Sequence, residues 1–260
     1  MKVFHVDAFT AQPFAGNPAA VCLLDEVRDD RWRQSVAAEM NLPETAFVER
    51  RAGQSGFGLR WFTPTTEVEL CGHATLAAAH VLWEQGESTA RLEFHTRSGM
   101  LSAEQSEGGI LLDFPADPPR EVPAPPGLAE ALGTELVWTG RGKFDYLVEL
   151  SDAEAVRRVA PDLPVLRALP VRGVIVTAVG DGSCDFVSRF FAPASGIDED
   201  HVTGSAHCCL GPYWQARLGR DTLVGYQASA RGGYVGVRLG QDRIGLSGHA
   251  VTVAAGELLV

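Results

Sequence analysis

Apolar residues along this chain fall into short alternating blocks, broken by Gly, Pro and Asn, with few helical runs between them. The alternation predicts strands at 3–9, 19–24, 45–49, 59–63, 92–96, 100–104 and 109–114. Gly16-Asn17-Pro18 predicts a turn before the second of these, and residues 105–108 a turn before the last. Trp32, Val36 and Met40 recur at helical spacing and predict a helix over 30–40. Asn41-Leu42-Pro43 ends it, because proline disfavours a helical residue before it. Residues 74–83 are apolar nearly all round, with Thr75 and His80 the polar members. A helix without a polar face is a buried one, and Gly86 fits its end.

After a stretch with six prolines in the thirteen residues 115–127, the order of elements starts again. That stretch predicts a linker with hinge character. Residues 142–150 repeat the turn-then-strand layout of 16–24, and 153–159 read as a helix. Leu169-Pro170 before Gly173-Val174-Ile175 echoes Leu42-Pro43 before Ala46-Phe47-Val48. A hairpin follows at 233–239 and 243–246, and closing strands at 250–253 and 257–260. Phe62-Thr63-Pro64 leads after seven residues to Gly72-His73-Ala74-Thr75, and Phe191-Ala192-Pro193 leads after ten to Gly204-Ser205-Ala206-His207. Four anchors in one order imply an internal duplication. Strands outnumber helices, so the expected class is α+β: two pseudo-symmetric lobes, each a curved, mostly antiparallel sheet around a central buried helix. The boundaries fall at 1–117 and 118–250, and the closing strand near 251–260 can belong to the first lobe.

The 260 residues carry a net charge of -11, with no basic run, which argues against nucleic acid as a partner. The N-terminal residues lack a signal-peptide pattern, and no uncharged apolar stretch reaches about 18 residues, so neither export nor a membrane partner is expected. Five cysteines without CxxC spacing read as reduced thiols of a cytoplasmic protein. The histidines show no metal-ligand spacing, and phosphate-loop and nucleophile-elbow motifs are missing. No metal and no cofactor are expected.

The duplication also exposes where the halves differ. Gly72 and Gly204 each open a helix, where exposed N–H groups attract an anion. Two such starts on related halves suggest one site. Aligning Pro43 with Pro170 sets Glu44 against Val171. The apolar flank Thr45-Ala46-Phe47-Val48 desolvates a carboxyl group, which suits a general acid/base. Aligning the glycines sets His73 against Ser205, either of which could instead cap its helix. Asp198-Glu199-Asp200 precedes Thr203-Gly204, but Glu67 and Glu69 occupy the comparable stretch, so spacing alone does not single out Asp200. Cys71 stands where the second half has Thr203, so a matched pair of thiols is missing. Cys208 and Cys209 fall a turn later and read as core.

Together, Gly16-Asn17-Pro18, Asn41-Leu42-Pro43-Glu44-Thr45-Ala46-Phe47, Cys71-Gly72-His73-Ala74-Thr75 and Asp200-His201-Val202-Thr203-Gly204-Ser205-Ala206-His207 resemble the phenazine-biosynthesis PhzF-like family, in order over residues 1 to about 255. The resemblance implies the diaminopimelate-epimerase-like fold and a cofactor-free isomerase that shifts a proton. It implies Glu44 as general acid/base, with His73, Asp200 and Ser205 completing the catalytic set. Gly72 and Gly204 then lend backbone N–H groups to substrate, with Asn17, Cys71 and Thr203 beside them. A small anionic metabolite is the expected substrate and a homodimer the expected assembly. Two alternatives stand beside this: a racemase or epimerase using Cys71, and a non-catalytic protein binding a small ligand on the same scaffold.

Overall fold

The computed structural model describes residues 1–50 and 55–260, which divide into two compact units: Met1–Asp113 with Ser247–Val260, and Phe114–Leu246. In the first, β1 (Lys2–Ala8) pairs antiparallel with β2 (Asn17–Leu24). α1 (Asp30–Met40) carries the chain over, and β3 (Glu44–Arg50) returns parallel to β2. β4 (Phe57–Phe62) runs back along β3, with the two-residue β5 (Glu67–Val68) on its far end. After α2 (Gly72–Glu84), β6 (Arg91–Thr96) lies parallel to β4, and β7 (Gly99–Ser106) and β8 (Gly109–Pro115) complete a meander. Both parallel pairs need a crossover, and α1 and α2 supply them.

α1 begins where the Asp29 carboxylate accepts the Trp32 N–H at 2.7 Å, and ends at Asn41 in the left-handed region, φ 50°. Its Val36 and Ala37 pack on Cys22, Phe47 and Phe62. α2 is buried on all sides. Its residues contact β1, β2, β3 and β7, so the sheet curls around it.

The second unit repeats this topology. Its elements are β9 (Arg120–Glu121), α3 (Leu128–Leu132), β10 (Trp138–Arg141), β11 (Asp145–Glu149), α4 (Ala153–Arg158), α5 (Leu163–Arg167), β12 (Gly173–Val179), β13 (Phe186–Ala192), a 3-10 turn (Pro193–Ser195), β14 (Ile197–Asp200), α6 (Gly204–Leu218), β15 (Thr222–Gln227), β16 (Gly233–Leu239) and β17 (Arg243–Gly248). β11 and β12 are parallel, β12 and β13 antiparallel, β14 caps β13, and β15 runs parallel to β13 after the α6 crossover. α6 packs on β11, β15 and β16, and its Trp214 stacks on Phe186 with centroids 6.0 Å apart. A second cluster, including Leu128, Val156, Val174, Val176 and Phe191, fills the other face of the sheet. β18 (Ala250–Glu257) returns to the first unit and pairs antiparallel with β1.

Two sequence expectations change. Residues 115–127 are not a free linker. The Ala116 and Asp117 N–H groups donate to Asp242 O and Cys208 O, β9 pairs with β10, and Val122 N–H reaches Thr139 O. The prolines fall between these donors and cost the segment none of its hydrogen bonds. The two closing strands are one, Ala250–Glu257, whose register on β1 runs to Lys2, and the Leu258 N–H then donates to Met1 O at 2.9 Å.

Candidate active site

The ends of two neighbouring strands and the start of α2 meet in the first unit. Asn17 is the first residue of β2, and Glu44 the first of β3, in register with Ala19. Cys71 caps α2 and His73 is its second residue. These four side chains are buried together. His73 Nδ1 lies 3.1 Å from Asn17 Nδ2 and 3.6 Å from Cys71 Sγ, and His73 Nε2 lies 3.1 Å from Glu44 Oε2. The last pair is close enough for an ion pair but out of line for a hydrogen bond, and neither atom has another partner. Gly72 sits between Cys71 and His73 as the first helical residue.

Electrostatics sort the roles. Burial, helped by the Glu44 charge, pushes the Cys71 thiol up, so it stays protonated. Burial pushes the His73 imidazole down, but the groups facing its two nitrogens, Cys71 and Glu44, outweigh burial and hold it well above its ordinary range. Glu44, Cys71 and His73 also offer three metal-ligand atoms within 4.8 Å of one another. Thiol and carboxylate face different ring nitrogens, so one ion bound to His73 gives up one of them.

In the second unit, Asp200 ends β14, Thr203 stands just before α6, Gly204 is its first residue, and Ser205, half-buried, its second. The Thr203 hydroxyl donates to Asp200 Oδ2 at 2.6 Å. Buried Gln227, which sequence reasoning missed, accepts the Thr203 N–H at 2.8 Å and donates to Asp200 O at 2.7 Å. Nothing in the sequence flags a glutamine at the end of an ordinary strand.

Strand register corrects the alignment of the halves. Thr45 pairs with Phe62 as Val174 pairs with Phe191, so Glu44 corresponds to Gly173 and not to Val171. A Cβ on Gly173 would lie 2.6 Å from the Phe190 ring and from Phe191 O, so the second unit has no room for a side chain there. Register also separates the acids. Trp61 pairs with Val68 where Phe190 pairs with Asp200. Glu67 and Glu199 are the scaffold pair, each gripped by both arms of an arginine, Arg60 and Arg189. Asp200 has no acidic counterpart.

The phenazine biosynthesis-like protein family model matches residues 6–256. The chain belongs to this family. An uncharacterized isomerase of Pseudomonas aeruginosa is 52% identical over 98% of the chain and 97% of its own length. The crystal structure of a PhzF family protein from Enterococcus faecalis superposes with a TM-score of 0.95 at 43% identity, covering 100% of this chain and 99% of that one. A predicted epimerase of Pseudomonas aeruginosa, at 23% identity and TM-score 0.77 over 100% and 99% of the two chains, shares the fold. The names of such relatives support an isomerase-type function for this family member. No helix among its described residues is long and apolar enough to cross a membrane.

Proposed function

We propose that the protein is a cofactor-independent isomerase that shifts a proton on a small carboxylate-bearing substrate. The buried Glu44–His73 pair carries this reading. A carboxylate this close to an imidazole can take a proton from carbon and return it elsewhere on the same π-system while His73 balances its charge. The N–H groups that open α2 and α6 suit the substrate carboxylate and the negative charge that develops as the proton leaves. Asp200 and Ser205 are assigned to the same reaction, and Asn17 orients His73. The epimerase alternative is less well supported. Thr203 stands at the position a second thiol would need.

Small unsaturated carboxylates incubated with the protein in D2O and followed by proton NMR test this reading. Wild type should wash deuterium into one of them, and Glu44→Gln should slow that by ~10²–10⁴, the usual worth of a general acid/base. A folded Glu44→Gln protein that exchanges at the wild-type rate would remove Glu44 from this role.

A further inference from the structure

Gln227 is fully buried and spends its whole amide on the turn before α6. Its Oε1 accepts the Thr203 N–H at 2.8 Å, and its Nε2 donates to Asp200 O at 2.7 Å and to Thr203 Oγ1 at 3.2 Å. Only one amide orientation satisfies this, because an N–H needs an acceptor and a carbonyl a donor. The polarity then propagates. Thr203 Oγ1 receives the Gln227 proton, so its own proton goes to Asp200 Oδ2, 2.6 Å away. We infer that Gln227 is a positioning residue for the proposed isomerase: acting through Thr203, it commits Asp200 Oδ2 to accepting, so that a proton carried by Asp200 sits on Oδ1.

The repeat supports this independently. Leu59 and Thr96, Cys71, and Val68 occupy the first-unit positions of Ser188 and Gln227, Thr203, and Asp200. All three members of the chain therefore differ together from the scaffold. Thr96 instead closes its own turn, donating to Gly99 O at 2.7 Å. The inference rests on the assignment of Asp200 to the reaction, but its test needs no substrate.

Within the second unit, the charged and titratable groups around Asp200 include Arg172, whose bidentate partner is Asp145 and which also feels Asp117; Glu199, gripped by Arg189; neighbouring His201; and His207 behind Thr203. None of these is altered by Thr203→Val or Thr203→Ser. The whole protein, labelled with 13C at aspartate carboxyls and assigned with Asp200→Asn, gives the Asp200 titration midpoint by NMR. Thr203→Val removes the donor and should raise that midpoint by roughly one pH unit. Thr203→Ser should restore it. Gln227→Glu turns the Thr203 hydroxyl away from Asp200 while adding a charge of its own, so adding Thr203→Val to Gln227→Glu should move the midpoint no further. An unmoved midpoint in Thr203→Val overturns the inference whatever Gln227→Glu does. A raised midpoint in Thr203→Val, with a further rise of about one unit when Thr203→Val is added to Gln227→Glu, removes Gln227 from it. Failure of the D2O experiment would leave these midpoints as they are, so the two readings fail separately.

Discussion

Acid should loosen the start of α6 through one imidazole. His207 is fully buried, stands against the Phe186 ring at 5.8 Å, and donates from Nδ1 to Thr203 O at 2.8 Å. Its Nε2 has no hydrogen-bond partner. A second ring proton would therefore be buried unpaired, and burial pushes the group from 6.5 down to about 4. The unfolded chain takes up this proton below about pH 6.5, and the folded chain waits until about pH 4. Stability is thus full above the unfolded value and is lost as pH falls through that window. At 1.36 kcal/mol per unit, the complete loss is about 3 kcal/mol, of which about 2 kcal/mol has gone by pH 5. His207→Gln keeps a donor for Thr203 O and cannot titrate. Urea titrations of both proteins at about pH 7.5 and about pH 5, followed by circular dichroism, give the difference between them at each pH. The wild-type advantage should shrink by about 2 kcal/mol at the lower pH. A change below ~0.5 kcal/mol would show that the folded imidazole already binds a proton near neutrality, and would refute the burial argument.

Three further outcomes are expected. Cys71→Ser should leave deuterium exchange within about tenfold of wild type, since a protonated thiol is no base, and complete loss in a folded protein would revive the epimerase reading. Gly173→Ala should destabilise by about 1–3 kcal/mol in urea, because its Cβ meets backbone Phe191 O, which does not swing aside as a side-chain tip would; an unchanged midpoint would mean that β12 and β13 give way freely. Light scattering should report a homodimer, and a monomer at micromolar concentration would end that expectation.

How much of this was legible beforehand depended on how local the signal was. The bounds of α1 follow from its own residues, because Asp29 caps it and Asn41 takes the left-handed turn. The all-apolar face of α2 announced a buried helix for the same reason. The strand at Phe186–Ala192 shows no alternation to announce it, because it is buried on both faces. Prolines misled the alignment of the halves. Pro43 leads straight into β3, but Pro170 is followed by Val171, whose N–H closes a turn onto Leu169 O, and by Arg172, whose N–H reaches across to Phe144 O before β12 starts. Those two residues shifted the partner of Glu44 from Gly173 to Val171. Asp200 could not be told from Glu199 by spacing, because which neighbour meets an arginine and which faces Thr203 is decided by the period-two alternation of β14 and its register on β13. Gln227 owes its role wholly to pairing across the sheet, which leaves no trace in adjacent residues.

The return of β18 to β1 sets a timetable for synthesis. Residues of the second unit are contiguous, Phe114–Leu246, so everything that unit needs has been made before β18 exists. β1, made first, must hold one edge open until Ala250–Glu257 arrives to pair with it. During translation the first unit is therefore an unfinished sheet tethered to a neighbour that can already fold, and its exposed strand edge is where a nascent-chain chaperone would be needed and where premature contact between growing chains would begin.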